Sequence, residues 1–453
     1  MGLGLNGGGV EAAKWFCAQG ANVLATDLRS AEVLKPSLQK LKKFKNIKFI
    51  LGEHREKDFK EADLIIKNPG VPKNSPYLKI AHKNHVKIES DFSLFFKLCV
   101  SKNLIGITGS KGKSTTASLI YEIFKKFDPN TQLAGNIRIS PFVVLAKIKN
   151  PDTPIVLELS SWQLEDSVGS KKSPHVAIIT NILHEHLNRY KNFNEYIKAK
   201  KLIFKFQSKN DFLILNYQDK ILRKISINKE SKSVPTACLP AGRARQAKII
   251  FYNKSPQKEL AFLKDKKPLI LGKHNRIHMM AAATVARIFK IPENIFKNAI
   301  LNFRGLSGRL EFIKESDKVK YYNDTTATMP DATVVSIKTL VENYKLKPSQ
   351  MVLIAGGTDK NLNYKKLALV IKKYVGRVEF LKGNATDKLV KELKKLNFYR
   401  YAMHDDLKNA TRSAKKFSKA GGVFLFSPGA ASFGMFKNEF DRGDKFNKIV
   451  KSF

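Results

Sequence analysis

Cysteine is scarce: only Cys17, Cys99 and Cys238 occur in 453 residues, far apart and odd in number. That argues against a disulfide framework and against a thiolate zinc spacing, and leaves buried thiols as the plain reading. Long hydrophobic runs are missing, since none approaches the ~20 residues that span a bilayer. The start of the chain lacks the basic, apolar and small-residue order of a signal peptide. A cytoplasmic protein without membrane insertion is expected. Acidic residues are few, 39 against 82 lysines and arginines, which gives a net charge of +43. The excess is mostly lysine and is spread along the chain, as at 40–45, 264–267, 372–373 and 394–395. No basic tail stands apart, and no run interleaves lysine with aromatics as a stacking surface for nucleic acid does. A solvated basic surface accounts for the charge, and an anionic substrate gains from the field.

What is present is enough apolar material, 43% of residues, for several cores. The length favours two or three domains. Three blocks of alternating strand and helix signals follow one another. In the first, 1–91, the runs ANVLATDL (21–28), IKFILGE (47–53) and ADLIIKNPGVP (62–72) read as strands. The second, 92–302, offers LIGIT, TPIVLELSS, HVAIITNI and DFLILN. The third, 303–453, offers VKYYND, QMVLIAGG, GRVEFLKG and GGVFLFSP. Short apolar runs alternating with helical patterns imply βαβ units and parallel sheets, hence an α/β fold in three domains. The stretch 231–246 has no period and is rich in breakers, so it reads as a surface loop.

The stretch GITGSKGKSTTASLIYEIF (106–124) carries the clearest chemistry. A strand runs into a glycine-rich turn and then into a helix, where Ala117, Ile120 and Phe124 share one face. The first N–H groups of a helix lack partners and carry partial positive charge, which makes this junction an anion cradle. The cradle comprises Gly109, Ser110, Lys111, Gly112, Lys113, Ser114 and Thr115. Lys113 suits the terminal phosphates of ATP, and Ser114 or Thr115 suits Mg²⁺. The strict GxxxxGK[ST] pattern fails, because Ile107 occupies the first glycine position. The alternative is a glycine turn capped by a lysine-rich helix.

Two further strands end on polar residues. LELSSWQLE delivers Glu158 among apolar neighbours, where a carboxylate needs a cation. A phosphate-held Mg²⁺ would supply one, and so would a structural salt bridge. HVAIITNILHEHLNRY ends on His184, Glu185 and His186, at the end of a strand where α/β sheets bind ligands. Near the start, GLGLNGGG contains GxGxxG at Gly2, Gly4 and Gly7, with Asp27 downstream, a weak dinucleotide fingerprint. The strand that should precede it is missing. A start codon placed too late is expected, and an in-frame upstream codon after a short apolar run would support that.

With these motifs in place, the chain resembles the Mur ligases. TGSKGKSTT, AGNI (134–137), LELSSWQLE, TNILHEHLNRY, AKKLIF (199–204), LGKHNRIHMMAAA (271–283), YYNDTTATMPDAT (321–333), GGTDKNLNY (356–364) and SPGAASFGMFKNEFDRG (427–443) occur in that family's order. LELSSWQLE, NDTTAT and SPGAASF look like its D-glutamate-adding branch.

The resemblance implies three domains. A Rossmann-like one at 1–91 binds the UDP precursor, a P-loop ATPase-like one at 92–302 binds ATP, and a Rossmann-like one at 303–453 binds the amino acid. It implies an ATP- and Mg²⁺-dependent monomer whose substrates are UDP-N-acetylmuramoyl-L-alanine and D-glutamate. Lys113, His186 and Lys200 are the implied catalytic residues, and Ser114, Glu158, His186 and Lys200 the implied metal shell. Lys200 matches a lysine the family carbamylates, with Lys201 as the neighbouring alternative; taken alone, either is a plain surface lysine. Asn275, Arg309 and Asp324 match ATP contacts. Leu5, Asn6, Asp27, Arg29 and Asn136 lie at or near UDP-substrate positions, and Thr328, Lys360, Ser432 and Phe433 at or near the D-glutamate pocket. The chain departs from the family's usual residues at Arg138, Glu185, Asn188, His278, Gly308 and Thr326. A sister ligase for another amino acid, a nucleotide-dependent nucleic-acid binder and an inactive scaffold are the competing readings.

Overall fold

The computed structural model describes residues 1–5, 7–137, 139–183, 190–231, 247–263, 266, 268–359, 362–432 and 435–453, with the backbone alone for 226–231, 273 and 274. The chain forms two compact units. One comprises Met1–Lys264 and Ile277–Ala299, the other Asp265–Arg276 and Ile300–Phe453. Among the described residues no helix is long and apolar enough to cross a membrane. Cys17 and Cys99 are free and buried, as their spacing predicts; Cys238 lies outside the described residues.

The first unit opens with four short strands: β1 (Val23–Asp27), β2 (Ile47–Leu51), β3 (Leu64–Lys67) and β4 (Lys87–Ser90). They do not form the one sheet expected. β1 pairs with β2 and β3 with β4, both parallel, as two separate two-stranded sheets. The segment Met1–Gly2 runs between them. The Gly2 N–H donates to Thr26 O at 2.8 Å, the Met1 ammonium to Ile66 O at 3.0 Å, and the Asn68 N–H to Met1 O at 3.1 Å.

The central sheet is built from β5 (Leu104–Thr108), β6 (Gln132–Gly135), β7 (Ile155–Glu158), β8 (Val176–Ile179), β9 (Phe212–Asn216) and β10 (Lys248–Tyr252). All neighbours are parallel, in the order β10-β9-β8-β5-β7-β6. Every residue of β5, β7 and β8 is buried. That is why these strands read as continuous apolar runs, since a parallel sheet is covered on both faces. β6 and β10 carry weaker signals and escape the sequence reading. The helix Lys113–Phe127 follows β5 and buries Ala117, Ile120 and Phe124 on one face. Lys125 and Lys126 in its last turn complement the negative end of its dipole.

The second unit holds β11 (Glu311–Ser316), β12 (Val319–Asn323), β13 (Met351–Gly356), β14 (Arg377–Leu381), β15 (Tyr401–His404) and β16 (Val423–Phe426), in the order β11-β12-β16-β13-β14-β15. The expected βα repeat holds from β12 onward. β11 instead pairs antiparallel with β12, and their register shifts between Phe312 and Lys314. Two cores cover the sheet. Val334, Ile337, Leu340, Leu367 and Leu389 belong to one, and Leu407, Ala410, Phe446 and Val450 to the other.

Candidate active site

The glycine-rich turn sits where the chain changes direction in the central sheet. β5 lies between β7 and β8; the chain passes from β5 to the edge strand β6, returns inward to β7, and then crosses β5 to build β8, β9 and β10 outward on the other side. Ligands of open α/β sheets bind at the carboxyl ends of strands at such a point. Gly109 and Gly112 have φ of 141° and 82°, backbone that side chains rarely adopt. A Cβ on Gly109 would meet Thr180 Oγ1 at 2.0 Å, and one on Gly112 would meet the His278 ring at 2.1 Å.

The turn is clamped to the segment that follows β8. The Ser110 N–H donates to Asn181 O at 2.9 Å and the Lys111 N–H to Asn181 Oδ1 at 2.9 Å. Thr180 Oγ1 and Asn181 Nδ2 both donate to Lys111 O. The Ser110 hydroxyl is buried, accepts from the Leu183 N–H at 2.9 Å and lies 3.1 Å from the Tyr196 hydroxyl. It therefore serves the shape of the loop. Lys113 donates to Gly109 O and Ser110 O at 2.9 and 2.8 Å, folded over its own turn. Gly112 stands at the N-cap of the helix that follows and has no side chain with which to cap it. The N–H groups of the helix's first turn, with Ser114 and Thr115 half-buried beside them, stand at this junction, where a helix start can receive an anion.

Glu158 ends β7, next to β5, and is 1% exposed. Its Oε1 accepts from Asn136 Nδ2 at 3.2 Å, and the Asn136 N–H donates to Glu158 O at 2.9 Å. Its Oε2 is buried with no hydrogen-bond partner among the described residues. A buried carboxylate oxygen left without a donor is costly. It fits a hard divalent cation, and the salt bridge considered from the sequence is absent among the described residues. No cluster of three or more His, Cys, Asp or Glu side chains that could hold a metal occurs among the described residues. His186, with His184, Glu185 and Asn188, lies outside them.

Of the two neighbouring lysines, Lys200 is the one turned inward, 2% exposed, whereas Lys201 is half-buried. Lys200 Nζ donates to Thr108 Oγ1 at 3.2 Å and lies 5.2 Å from the centre of the Tyr196 ring. Thr108 in turn donates to the carbonyl of Leu159, the residue after Glu158. Lys200 is thus joined to the ends of both β5 and β7. His278 is buried and its Nδ1 lies 3.1 Å from Thr116 Oγ1, so it supports the phosphate turn from behind. Asn275, three residues earlier on the same helix, donates to Leu271 O at 2.7 Å.

In the first block Asp27 is buried. It accepts from the Gly4 N–H at 2.8 Å and the Arg29 N–H at 3.0 Å, so it fixes the glycine turn of the weak fingerprint. Leu5 and the Arg29 side chain are exposed nearby. Asn6 and Arg138 lie outside the described residues.

Of the second unit's predicted residues, Asp324 and Thr328 follow β12 and Ser432 follows β16, two adjacent strands, and Arg309 precedes β11. Asp324 is buried and held by the Leu310 N–H at 3.0 Å, Ser336 Oγ at 2.6 Å and Ser427 Oγ at 2.7 Å. Burial pushes its carboxyl up to about 6 against these three donors and the Arg309 charge. Arg309 itself is exposed. Gly308, in place of the family's usual histidine, has φ of 70°, and a Cβ there would meet Thr325 at 2.6 Å. Thr326 donates to Gly308 O through both its N–H and its hydroxyl. Thr328 is half-buried and Ser432 buried. Thr358 and Ala431 exchange backbone hydrogen bonds. Lys360 and Phe433 lie outside the described residues.

Arg442 was not singled out from the sequence, although it stands in the quoted FDRG. It is 1% exposed and donates to Thr325 Oγ1, Thr325 O and Ala430 O. Burial pushes its guanidinium down to about 10, with Glu439 acting against that. It joins the loop after β12 to the loop after β16. The sequence signal was an arginine in a glycine-rich stretch, which does not distinguish a buried latch from a surface charge.

The chain matches the family of the Mur ligase middle domain over residues 107–286 and that of the MurD-like Mur ligase N-terminal domain over residues 1–90. It is 37% identical over 466 residues to UDP-N-acetylmuramoylalanine–D-glutamate ligase of Roseiflexus sp. (strain RS-1), covering all of this chain and 98% of the relative. It is 38% identical over 458 residues to the enzyme of that name from Borreliella afzelii, covering 99% and 96%. Among solved structures it resembles UDP-N-acetylmuramate-alanine ligase MurC from Thermotoga maritima, with TM-score 0.61, 17% identity, and coverage of 100% and 98%. MurF ligase from the same organism, solved in complex with ADP, gives TM-score 0.51 and 15% identity over 88% of this chain and 97% of that one.

Proposed function

The chain belongs to the Mur ligase family, and from that premise we propose that it is the ATP-dependent enzyme that joins D-glutamate to UDP-N-acetylmuramoyl-L-alanine in peptidoglycan precursor synthesis. The observation that carries the reading is the helix start at Gly112, which has no side chain to cap it, together with the buried Glu158 Oε2 on the neighbouring strand, which has no hydrogen-bond partner among the described residues. One suits a polyphosphate and the other a cation that accompanies it.

The chemistry follows from what a carboxylate lacks. Its charge repels nucleophiles, and oxide is a poor leaving group. The precursor's carboxylate oxygen attacks the γ-phosphorus of ATP, ADP departs, and an acyl phosphate forms. The amine of D-glutamate then attacks the acyl carbon. The tetrahedral intermediate collapses with loss of phosphate, and the amine proton leaves to solvent. Lys113 and the N–H groups at 113–115 neutralise the transferring phosphoryl group in a site that needs little reorganisation. Ser114, Glu158, His186 and Lys200 would hold Mg²⁺, with Lys200 carbamylated so that its ammonium becomes an anion. Magnesium, when bound, supplies charge neutralisation and orientation of the phosphates.

Asn275, Arg309 and Asp324 would contact ATP. Leu5, Asn6, Asp27, Arg29 and Asn136 would contact the UDP precursor, and Thr328, Lys360, Ser432 and Phe433 D-glutamate. The corresponding domains are 1–91, 92–302 and 303–453 of a cytoplasmic monomer.

Phosphate release, measured with ATP, the UDP precursor and single amino acids, tests the reading. Release with D-glutamate alone is expected. Release with a different amino acid would assign a sister reaction. Salt-sensitive binding to DNA or RNA without ligation would overturn the ligase altogether.

A further inference from the structure

The first block rests on the middle one through two helices that lead away from the candidate site. Helix Pro141–Leu145 comes after Asn136, and helix Ser161–Ser167 comes after Glu158. On the former, Phe142 is buried against Trp15 and Phe16, with ring centres 5.5 and 6.0 Å away. Apolar packing of this kind is non-directional and sets no fixed distance by itself.

The contact on the second helix is of another kind. Lys67, the last residue of β3, donates to Asp166 Oδ2 at 2.8 Å, and the two side chains are only 8% and 5% exposed. Lys67 Nζ also donates to Asn68 O and Val71 O at 3.5 Å, so it gathers its own loop around the carboxylate. Asp91 stands close to both charges. Burial pushes its carboxyl up to about 6, with the Phe92 N–H opposing, Asp166 adding and Lys67 opposing. A buried ion pair gains little stability over apolar residues of similar volume. What it adds is direction, because a charge-assisted hydrogen bond is short and angle-dependent. Lys73 and Glu165 face each other nearby at 3.8 Å, but Lys73 is exposed and water screens that pair.

Both ends of the buried pair are tied to candidate site residues. On the first block, Asn68 packs on the glycine turn, where a Cβ on Gly2 would meet Asn68 Cβ at 3.1 Å. Asp27 holds the same turn through the Gly4 N–H. Asn68 also fixes its own loop, accepting from the Gly70 N–H at Oδ1 and from the Val71 N–H at its carbonyl. On the middle block, Ser160 and Gln163 exchange capping bonds at the start of helix Ser161–Ser167. That start follows Leu159, whose carbonyl accepts from Thr108 at the end of β5. At ~1.5 Å per residue, Asp166 lies about 8 Å along this helix from Ser161.

We propose, resting on the ligase reading, that Lys67 and Asp166 are positioning residues for the reaction. Their buried pair fixes the turn that holds the UDP precursor at a set distance from the phosphate turn. The aromatic contact at Phe142 supplies adhesion, and the ion pair supplies register. Without it the precursor still binds the first block and ATP still binds the middle one, but the attacking carboxylate oxygen is out of line with the γ-phosphorus. A misplacement of about 1 Å costs on the order of a hundredfold in rate.

The test measures phosphate release, with ATP, the UDP precursor and D-glutamate, for the full chain, for Lys67→Met/Asp166→Leu and for Asp166→Glu. The double variant replaces both charges with apolar groups, so Tm should stay within about 4 °C. Its kcat should fall about a hundredfold, with KM for ATP within about twofold of the parent. A role in folding alone would leave the folded variant turning over at the parent's kcat, and that result overturns the inference. A raised KM for the UDP precursor at unchanged kcat overturns it too, because the pair would then serve binding. Should the double variant not fold, Asp166→Glu keeps both charges and adds one methylene to the link. It must lower kcat about threefold or more at constant KM for ATP, and a kcat equal to the parent's overturns the inference. No release by the parent chain overturns the ligase reading and this inference with it, whereas release by the parent and equally by the variants overturns the inference alone.

Discussion

The phosphate turn is shaped around a side chain that is distant in sequence, and Gly112→Ala measures how tightly. Gly112 has φ of 82°, and a Cβ there would lie 2.1 Å from His278 Cε1 and 2.8 Å from Nε2. The left-handed backbone alone costs an alanine roughly 1–2 kcal/mol. The overlap adds a second cost. The imidazole is buried, packed against the turn and hydrogen-bonded to Thr116, so it cannot swing away freely. Forcing an extra methyl into such packing costs about 1–3 kcal/mol. Gly112→Ala should therefore destabilise the first unit by about 2–5 kcal/mol.

His278→Ala alone removes the partner of the buried Thr116 hydroxyl and should cost about 1–3 kcal/mol. In the double variant the clash has no second party, so the two costs should fall short of additivity by about 1–3 kcal/mol. Urea unfolding of the four proteins, followed by fluorescence of the two tryptophans at 15 and 162 in that unit, supplies the numbers. Additive losses would show that the imidazole does not limit the turn. A loss under about 0.5 kcal/mol for Gly112→Ala would refute the left-handed constraint itself.

Two further predictions concern charge. Lys113→Ala should abolish phosphate release while leaving the fold intact, read from an unchanged far-UV circular dichroism spectrum; near-normal turnover would contradict the assignment of the loop. Asp324 has a folded pKa near 6, above its ordinary 3.8, so its contribution favours folding below pH 4 and is lost as pH rises through 6. That rise corresponds to roughly 3 kcal/mol. Asp324→Asn should flatten the fall in stability between pH 4 and 6, read from amide protection of β12 and β16, and an unchanged pH profile would refute it.

Legibility from the sequence tracked burial on two faces. β5, β7, β8, β13 and β16 are wholly buried, and their apolar runs could be read directly. β4, β6, β11 and β15 are short or half-exposed edge elements whose residues carry no such contrast. The antiparallel turn of β11 back onto β12 was hidden because pairing direction depends on chain reversal, not on composition. At the site, glycine spacing revealed the tight turn after β5, since glycine takes φ near 82° and 141° without strain. Lys200 could not be told from Lys201 by residue type, and only burial separates them. The clamp from Thr180 and Asn181 and the latch at Arg442 remained invisible because their partners are carbonyls far along the chain.

The buried guanidinium of Arg442 ties together the histories of two segments that are about a hundred residues apart. A change that shifts the Thr325 carbonyl alters what the Ala430 carbonyl receives, and the reverse holds too. Substitutions in NDTTAT and SPGAAS should therefore be tolerated in matched pairs more readily than singly. A graft that swaps only one of these segments from a relative inherits a mismatch, whereas a graft of both, together with the arginine, does not.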